Sequence, residues 1–290
     1  MHFGIAIPQT YPEPARIARF LRRAEEMGFD AAWTIEQVVG TVPITESLVT
    51  LAHAAALTTR MRLGVSVLVL PQREPVHLAK MLSSIDLLSG GRLVVGLGLG
   101  QSTRLYGALG LPSEHRVTRF RDNLEIMRRL WTEPWVTFEG RFVRLEGVAM
   151  EPKPARVPPV WIGGHAEGAL RRAVELGDGF MGAGSTPMEA FLDELDMVKG
   201  FAAGRSGFTL AKRLYVSCSD DLPAVREWFG AFYRSAELAD RVAVWGSPQA
   251  VVDALERLRA AGVDHVLLHP VTDEENQLER LVAEVLPRFR

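Results

Sequence analysis

The sequence predicts an α/β protein, a single (β/α)8 barrel over residues 1–290, on three observations. Apolar runs of strand length alternate with helical patterns from end to end, about eight such units can be counted, and the joints between them repeat one chemistry. In the first half "HFGIAIP" precedes a helix through "IARFLRRAEEM", "FDAAWTI" precedes "TESLVTLAHAAALT", "RLGVSVLVLP" precedes "PVHLAKMLSSIDLLS", and "RLVVGLGLG" precedes a helix ending near Trp131. In the second half "PVWIGG", "GFMGAGS", "AKRLYVSCS" and "DHVLLHP" each open a unit of the same kind.

The joints "EMGFDAAW", "ELGDGFMG" and "AAGVDHVLL" place Gly28, Gly177 and Gly262 where a helix ends, each followed by an Asp and an apolar run. Glycine there is expected in the left-handed conformation that closes a helix without a Cβ penalty. A barrel of this kind needs roughly 250 residues. The surplus falls in two places: residues 100–113 lengthen the loop after strand four, and "WVTFEGRFVRLEGVAM" alternates like a small hairpin before strand five. A doubly wound open sheet is the rival architecture, because the same alternation would feed it.

Composition narrows the function. A formal net charge of -2 with scattered Lys and Arg gives no basic face for a phosphate backbone, so nucleic acid is not an expected partner. The lone Cys218 and an N-terminus without a leader or long apolar run lead us to expect a cytoplasmic protein with no membrane association. Helix two, "SLVTLAHAAALT", is apolar nearly all round, which predicts a homodimer.

In a barrel the active site lies at the C-terminal strand ends. Those ends offer Gln9, Glu36 and Gln37, residues 66–71 and 98–101, Gly163 to His165, residues 182–185 and 217–219, and His269. Glu36 is the only early carboxylate, so the paired acids of a glycosidase are missing. His265 and His269 sit four residues apart on a strand, roughly 13 Å, too far to share a metal ion. No strand end carries a lysine placed for a Schiff base. What remains is an apolar, amide-rich mouth suited to a cofactor that brings its own chemistry.

"GLGLGQ" lacks the third glycine of a dinucleotide fingerprint, since Gln101 and Thr103 stand where it is required. Its Gly98 and Gly100 can admit a flat ring, while Gly96 reads equally as a close-packing device. Gly163 and Gly164 end one strand and open a helix with only Glu167 in its first turn, an arrangement that leaves amides for a phosphate. A tight βα turn is the plainer reading of the same pair. Gln9 and Tyr106 are the residues expected to face substrate, Tyr106 from the extended fourth loop.

The segments "LGVSVLVLPQREPVHLAKMLSSIDLLSGGRLVVGLGLG", "VPPVWIGG" and "GDGFMGAGS" resemble the bacterial luciferase-like monooxygenase family, and within it the deazaflavin branch that uses coenzyme F420. The resemblance covers nearly the whole chain. It implies a deazaflavin or flavin bound across the barrel mouth. By position, Ser66 and Val67, with Leu68 after them, match the family's non-prolyl cis peptide behind the ring; Gly98 and Gly100 match the ring-side strand end. Ile162, Gly163 and Gly164 match the phosphate turn, and Ala183, Gly184 and Ser185 match the remainder of the cradle. Members with a proton-transfer step often carry an Asp-His pair at the end of strand two, where this chain has Glu36 and Gln37. Gln37 cannot serve as a base near neutral pH. Glu36 can either carry a proton or hold loop amides, and sugar-phosphate dehydrogenation is not carried over. The expectation is an F420-dependent oxidoreductase acting on a small organic substrate. An FMN-dependent monooxygenase and a non-catalytic ligand-binding barrel are the alternatives.

Overall fold

The computed structural model describes residues 1–10, 12–100 and 104–290. Strands β1 (His2–Ala6), β2 (Ala31–Thr34), β3 (Arg62–Val69) and β4 (Leu93–Gly98) come first, and β5 (Val136–Glu139) and β6 (Arg144–Val148) form an antiparallel hairpin. Strands β7 (Val160–Gly163), β8 (Gly179–Gly182), β9 (Thr209–Ser217), β10 (Ala243–Trp245) and β11 (His265–Pro270) complete the sheet. Pairing runs β1-β2-β3-β4-β7-β8-β9-β11 and back to β1, all parallel, so eight strands close into a TIM barrel and the open-sheet alternative is excluded. Both insertions fall where expected: the hairpin precedes β7, and a short helix, Arg104–Ala108, follows β4. Gln101 and Thr103 lie outside the described residues. Strand β10 was not expected; it takes over the edge of β9 at Tyr215 to Ser217, above the point where β8 leaves it at Lys212.

The helices pack outside because their apolar stripes repeat at helical spacing. In Pro14–Glu26 the buried residues are Ile17, Phe20, Leu21 and Ala24, one face of the helix. Burying each of the three larger side chains contributes about 1.5–3 kcal/mol. Period two then divides every strand between two cores. Phe3, Ile5, Val65, Val95, Ile162, Phe180, Leu214 and Leu268 face the helices. Ala6, Ala31, Trp33, Val94, Trp161, Met181, Ala211 and Leu267 face the lumen.

The repeated joints have a second function. Asp30, Asp178 and Asp264 each accept a backbone N–H from a strand start, of Phe3 at 2.7 Å, Val160 at 2.9 Å and Leu210 at 2.8 Å. Gly28 (φ 86°) and Gly262 (φ 78°) are left-handed as predicted. Gly177 is not: at φ -101° it is accessible to any residue, and it is glycine because a Cβ would stand 2.8 Å from the Ala173 carbonyl oxygen.

Candidate functional site

The lumen is blocked at its N-terminal end and open at the other. Trp33 and Trp161 pack at 5.2 Å, and the Trp33 indole N–H donates to His265 Nε2 at 3.1 Å. Burial lowers the His265 pKa to about 3, so the imidazole is neutral and a part of the core. Above this floor lies a cavity of about 540 Å³, walled by β3, β4, β7, β8, β9 and the helix ends that follow them.

One wall is the bulge in β3. The Ser66–Val67 peptide is cis, and the β3–β4 register shifts between Val65 and Leu68. Three glycines make room for this end of β3. A Cβ on Gly96 would lie 2.1 Å from the Val65 carbonyl oxygen, one on Gly98 2.8 Å from Val67 Cγ2, and one on Gly100 2.7 Å from Val69 Cγ1. Gly96 and Gly98 of β4 therefore seat the bulge, and Val67, Gly98 and Gly100 together line the cavity.

The second wall is the β7 turn. Gly163 is the last ladder residue, opposite Met181. Beyond it, the amides of Gly164, Ala166, Glu167 and Gly168 have no acceptor among the described residues, and no side chain caps the helix Glu167–Leu176 that follows. Gly164 is set by packing, since its Cβ would fall 2.4 Å from that of Ala169. Arg172, one turn further and 6% exposed, reaches the same cavity with its Nε buried and unpaired. Open amides at a helix start plus a buried guanidinium make a site for an anion. Beside them His165 Nδ1 lies 2.8 Å from Thr186 Oγ1 and 3.3 Å from Glu194 Oε1. Lys212 donates to the carbonyls of Ala183 (2.6 Å) and Thr186 (2.9 Å), tying down the loop after β8. Burial pushes the Lys212 pKa down to about 7, against the attraction of Glu194.

The third wall belongs to β9. Arg213 donates to the Ser66 carbonyl at 3.0 Å and to the Tyr233 hydroxyl at 3.1 Å, and it also holds the Tyr215 hydroxyl. Phe232 completes this side.

Of the residues expected from sequence, Glu36, Gln37, Ser66, Val67, Gly98, Gly100, Gly163, Gly164, Ala183 and Ser185 meet in the cavity. Leu68 and Ile162 do not: both face the outer core, Ile162 by strand parity and Leu68 because the register shift between Val65 and Leu68 resets the alternation of β3. Gly184 lies behind the lining, its absent Cβ leaving space for Tyr215 and Arg213. Gln9 is 2% exposed and ties β1 to β2, accepting from Ile35 N–H at 2.6 Å and donating to the Thr45 carbonyl at 3.1 Å, so it is outside the cavity. Tyr106 is 1% exposed and is also absent from the lining. Glu36 reaches the cavity, but its oxygens are engaged, one by the Val69 N–H at 2.5 Å and the other by Arg73. The missed residues are Arg172, Arg213, Tyr215 and Tyr233. Continuing the inward parity from Ala211 would have found the two on β9.

Comparison with known proteins agrees with this architecture. The profile of the family described as luciferase-like monooxygenase matches residues 1–239. An F420-dependent glucose-6-phosphate dehydrogenase of Kineococcus radiotolerans is 27% identical over 317 aligned positions, covering 96% of this chain and 94% of that protein. The structure of an F420-dependent secondary alcohol dehydrogenase in complex with an F420-acetone adduct superposes with TM-score 0.85 at 17% identity, covering 100% and 99% of the two chains. That of the coenzyme F420-dependent tetrahydromethanopterin reductase of Methanopyrus kandleri gives 0.82 at 22% identity, covering 100% and 99%. The cis bulge, the glycine-seated cavity and a match over residues 1–239 place this chain in the luciferase-like monooxygenase family.

Proposed function

We propose that the protein is an F420-dependent oxidoreductase that passes hydride to or from a small organic substrate. The observation that carries this reading is a single cavity with a cis bulge at one end and an unclaimed set of amides with a buried Arg172 at the other. The residues suit a deazaflavin: Val67, Gly98 and Met181 offer an apolar seat for a ring, and the amides of Gly164 and Ala166 with Arg172 offer donors for its phosphate. When bound, the cofactor supplies the hydride chemistry; the protein orients it, excludes water from one face and holds the anionic tail. Lys212 keeps the loop carrying Ala183 and Ser185 in position to complete the phosphate side.

Titration of the purified protein with F420 and with FMN tests the assignment. Micromolar or tighter F420 binding with much weaker FMN binding is expected. Preference for FMN would move the protein to the oxygen-using branch, and binding of neither would leave only a ligand-binding barrel.

Assembly as a homodimer belongs to the same proposal. Val49 (69% exposed) and Leu88 (69% exposed) leave an apolar face on adjacent helices Ser47–Leu57 and Pro75–Ser89, which a second copy would cover. Light scattering that returns the mass of a single chain refutes it. Among the described residues no helix is long and apolar enough to cross a membrane, and the cytoplasmic location we propose rests on the lone, buried Cys218.

A further inference from the structure

The chain has four tyrosines, and two of them meet at one cavity wall. Tyr215 points inward from β9 and is 1% exposed; Tyr233 ends the helix Leu222–Tyr233. Their hydroxyls are hydrogen-bonded to each other, and the same Arg213 Nη2 donates to both. The rings are fixed by their neighbours: Tyr215 packs on Phe229 at 5.0 Å and on Trp228 at 5.3 Å, and Tyr233 stacks on Phe229 at 5.7 Å.

The direction of the shared hydrogen bond follows from counting protons. Two hydroxyls own two protons, and the bond between them uses one. If Tyr233 donated, the proton of Tyr215 would be left in a buried site with no acceptor among the described residues, which costs the desolvation of that group. Tyr215 is therefore the internal donor. Burial also holds its pKa well above the usual phenol value, so it keeps its proton. The Tyr233 oxygen then receives two hydrogen bonds, from Arg213 and from Tyr215, while its own O–H is uncommitted on a residue that lines the cavity.

We propose that Tyr233 is the proton donor of the reaction, acting on a substrate carbonyl oxygen, with Arg213 and Tyr215 holding the charge left behind. This rests on the hydride-transfer reading above. In the reducing direction the reduced deazaflavin is the source of hydride. As a C–H bond forms at the carbonyl carbon, the C=O π pair moves to oxygen, which takes the Tyr233 proton to become a hydroxyl. The phenolate that remains is held by the Arg213 guanidinium and the Tyr215 O–H, and solvent restores the proton. In the oxidising direction the same groups act in reverse. The site thus favours ketones, aldehydes or their alcohols over substrates without such an oxygen.

Binding to the cofactor-free protein provides a test independent of turnover. The probe is 4-nitrophenolate, an oxyanion whose absorbance reports hydrogen bonding, used alongside F420 titration of the same variants. Wild type should bind the probe, and Tyr233→Phe should weaken it roughly tenfold or more, the value of one hydrogen bond to a charged acceptor. Tyr215→Phe, which removes one donor from the Tyr233 oxygen, should weaken it several-fold, and it provides a second reading should Y233F not fold. F420 affinity should be the same in all three. Probe binding that ignores both substitutions in a protein that binds F420 overturns the tyrosine assignment alone. Probe binding that depends on Tyr233 in a protein that does not bind F420 keeps the oxyanion site and refutes the cofactor reading.

Discussion

The floor and the mouth of the barrel are built from the same strands by the same device and reach opposite results. At the floor Gly4 and Gly64 lack side chains so that the Trp33 indole can fill the lumen; a Cβ on either would sit within 2.4 Å of that ring. At the mouth Gly96 and Gly98 lack side chains so that the Val65 carbonyl and the Val67 side chain of the β3 bulge can come inward, and the space above the bulge stays open. Glycine thus creates volume, and what the neighbouring strand puts there decides between core and cavity. A tryptophan closes the lumen; a displaced peptide shapes a seat.

The sharpest way to break this comparison is Gly96→Ala. The new Cβ would meet the Val65 carbonyl oxygen at 2.1 Å, and backbone cannot swing aside as a side-chain tip can. We expect a loss of about 3 kcal/mol or more, at the upper end of overpacking costs, read by denaturant unfolding. A loss below about 1 kcal/mol would mean that the bulge can move and that β4 does not fix it.

The floor is tested by pH. The folded-state pKa of His265, about 3, lies below the unfolded value of roughly 6.5. Its contribution is therefore fully present above pH 6.5 and is lost as the pH falls toward 3, because the unfolded chain binds the proton first. Between pH 7 and 4.5 this amounts to about 2.5 kcal/mol. His265→Gln, which keeps an acceptor for Trp33, should lose that much of the acid dependence. Parallel pH profiles for the two proteins would contradict a neutral, buried imidazole.

The barrel was legible because its signals are local: strand and helix periods, the Gly-Asp joints and the alternating hairpin each occupy a short window. The β7 turn was legible for the same reason, with Gly163 and Gly164 adjacent in the chain. The β9 wall was not. Arg213, Tyr215 and Tyr233 are brought together by one strand and the end of the next helix, and their chemistry depends on which way β9 alternates. Ile162 failed from the same cause, since one step along a strand reverses the face, and Leu68 failed because the bulge puts both Ser66 and Val67 at the cavity and turns Leu68 outward. Gln9 was misplaced because a polar residue at a strand end serves equally to tie two strands together.

Arg172 distinguishes the mouth from the floor by charge. The residue is 6% exposed, burial and then the nearby Arg121 lower its pKa against the pull of Glu175, and no carboxylate is bonded to it among the described residues. An anion bound at the β7 turn would meet that buried charge. Arg172→Met should weaken F420 binding by roughly tenfold to a hundredfold, in line with a charge-assisted hydrogen bond, and lower its salt sensitivity. Thermal stability should hold or rise, since a buried charge is replaced by an apolar chain. Unchanged F420 affinity would place the phosphate elsewhere.

The smallest effect is expected at Glu36, where mouth and scaffold meet. Arg73 spans Glu36 and Glu46, and Glu46 in turn caps the helix Ser47–Leu57 through Leu48 and Val49. Burial opposes the Arg73 charge, but the two carboxylates outweigh it and raise its pKa above the ordinary guanidinium value. A carboxylate so engaged can accept a proton only by releasing Val69 or Arg73, so its geometry matches the holding of loop amides. Glu36→Gln keeps the shape and one acceptor while removing the charge. It should cost about 1 kcal/mol of stability or more, because an NH2 donor replaces an oxygen that accepts from Val69 or from Arg73. The pH profile of turnover should not move. If Glu36 carried the catalytic proton, the same substitution would remove a limb of that profile, and the comparison of a structural floor with a chemical mouth would have to be redrawn at strand two.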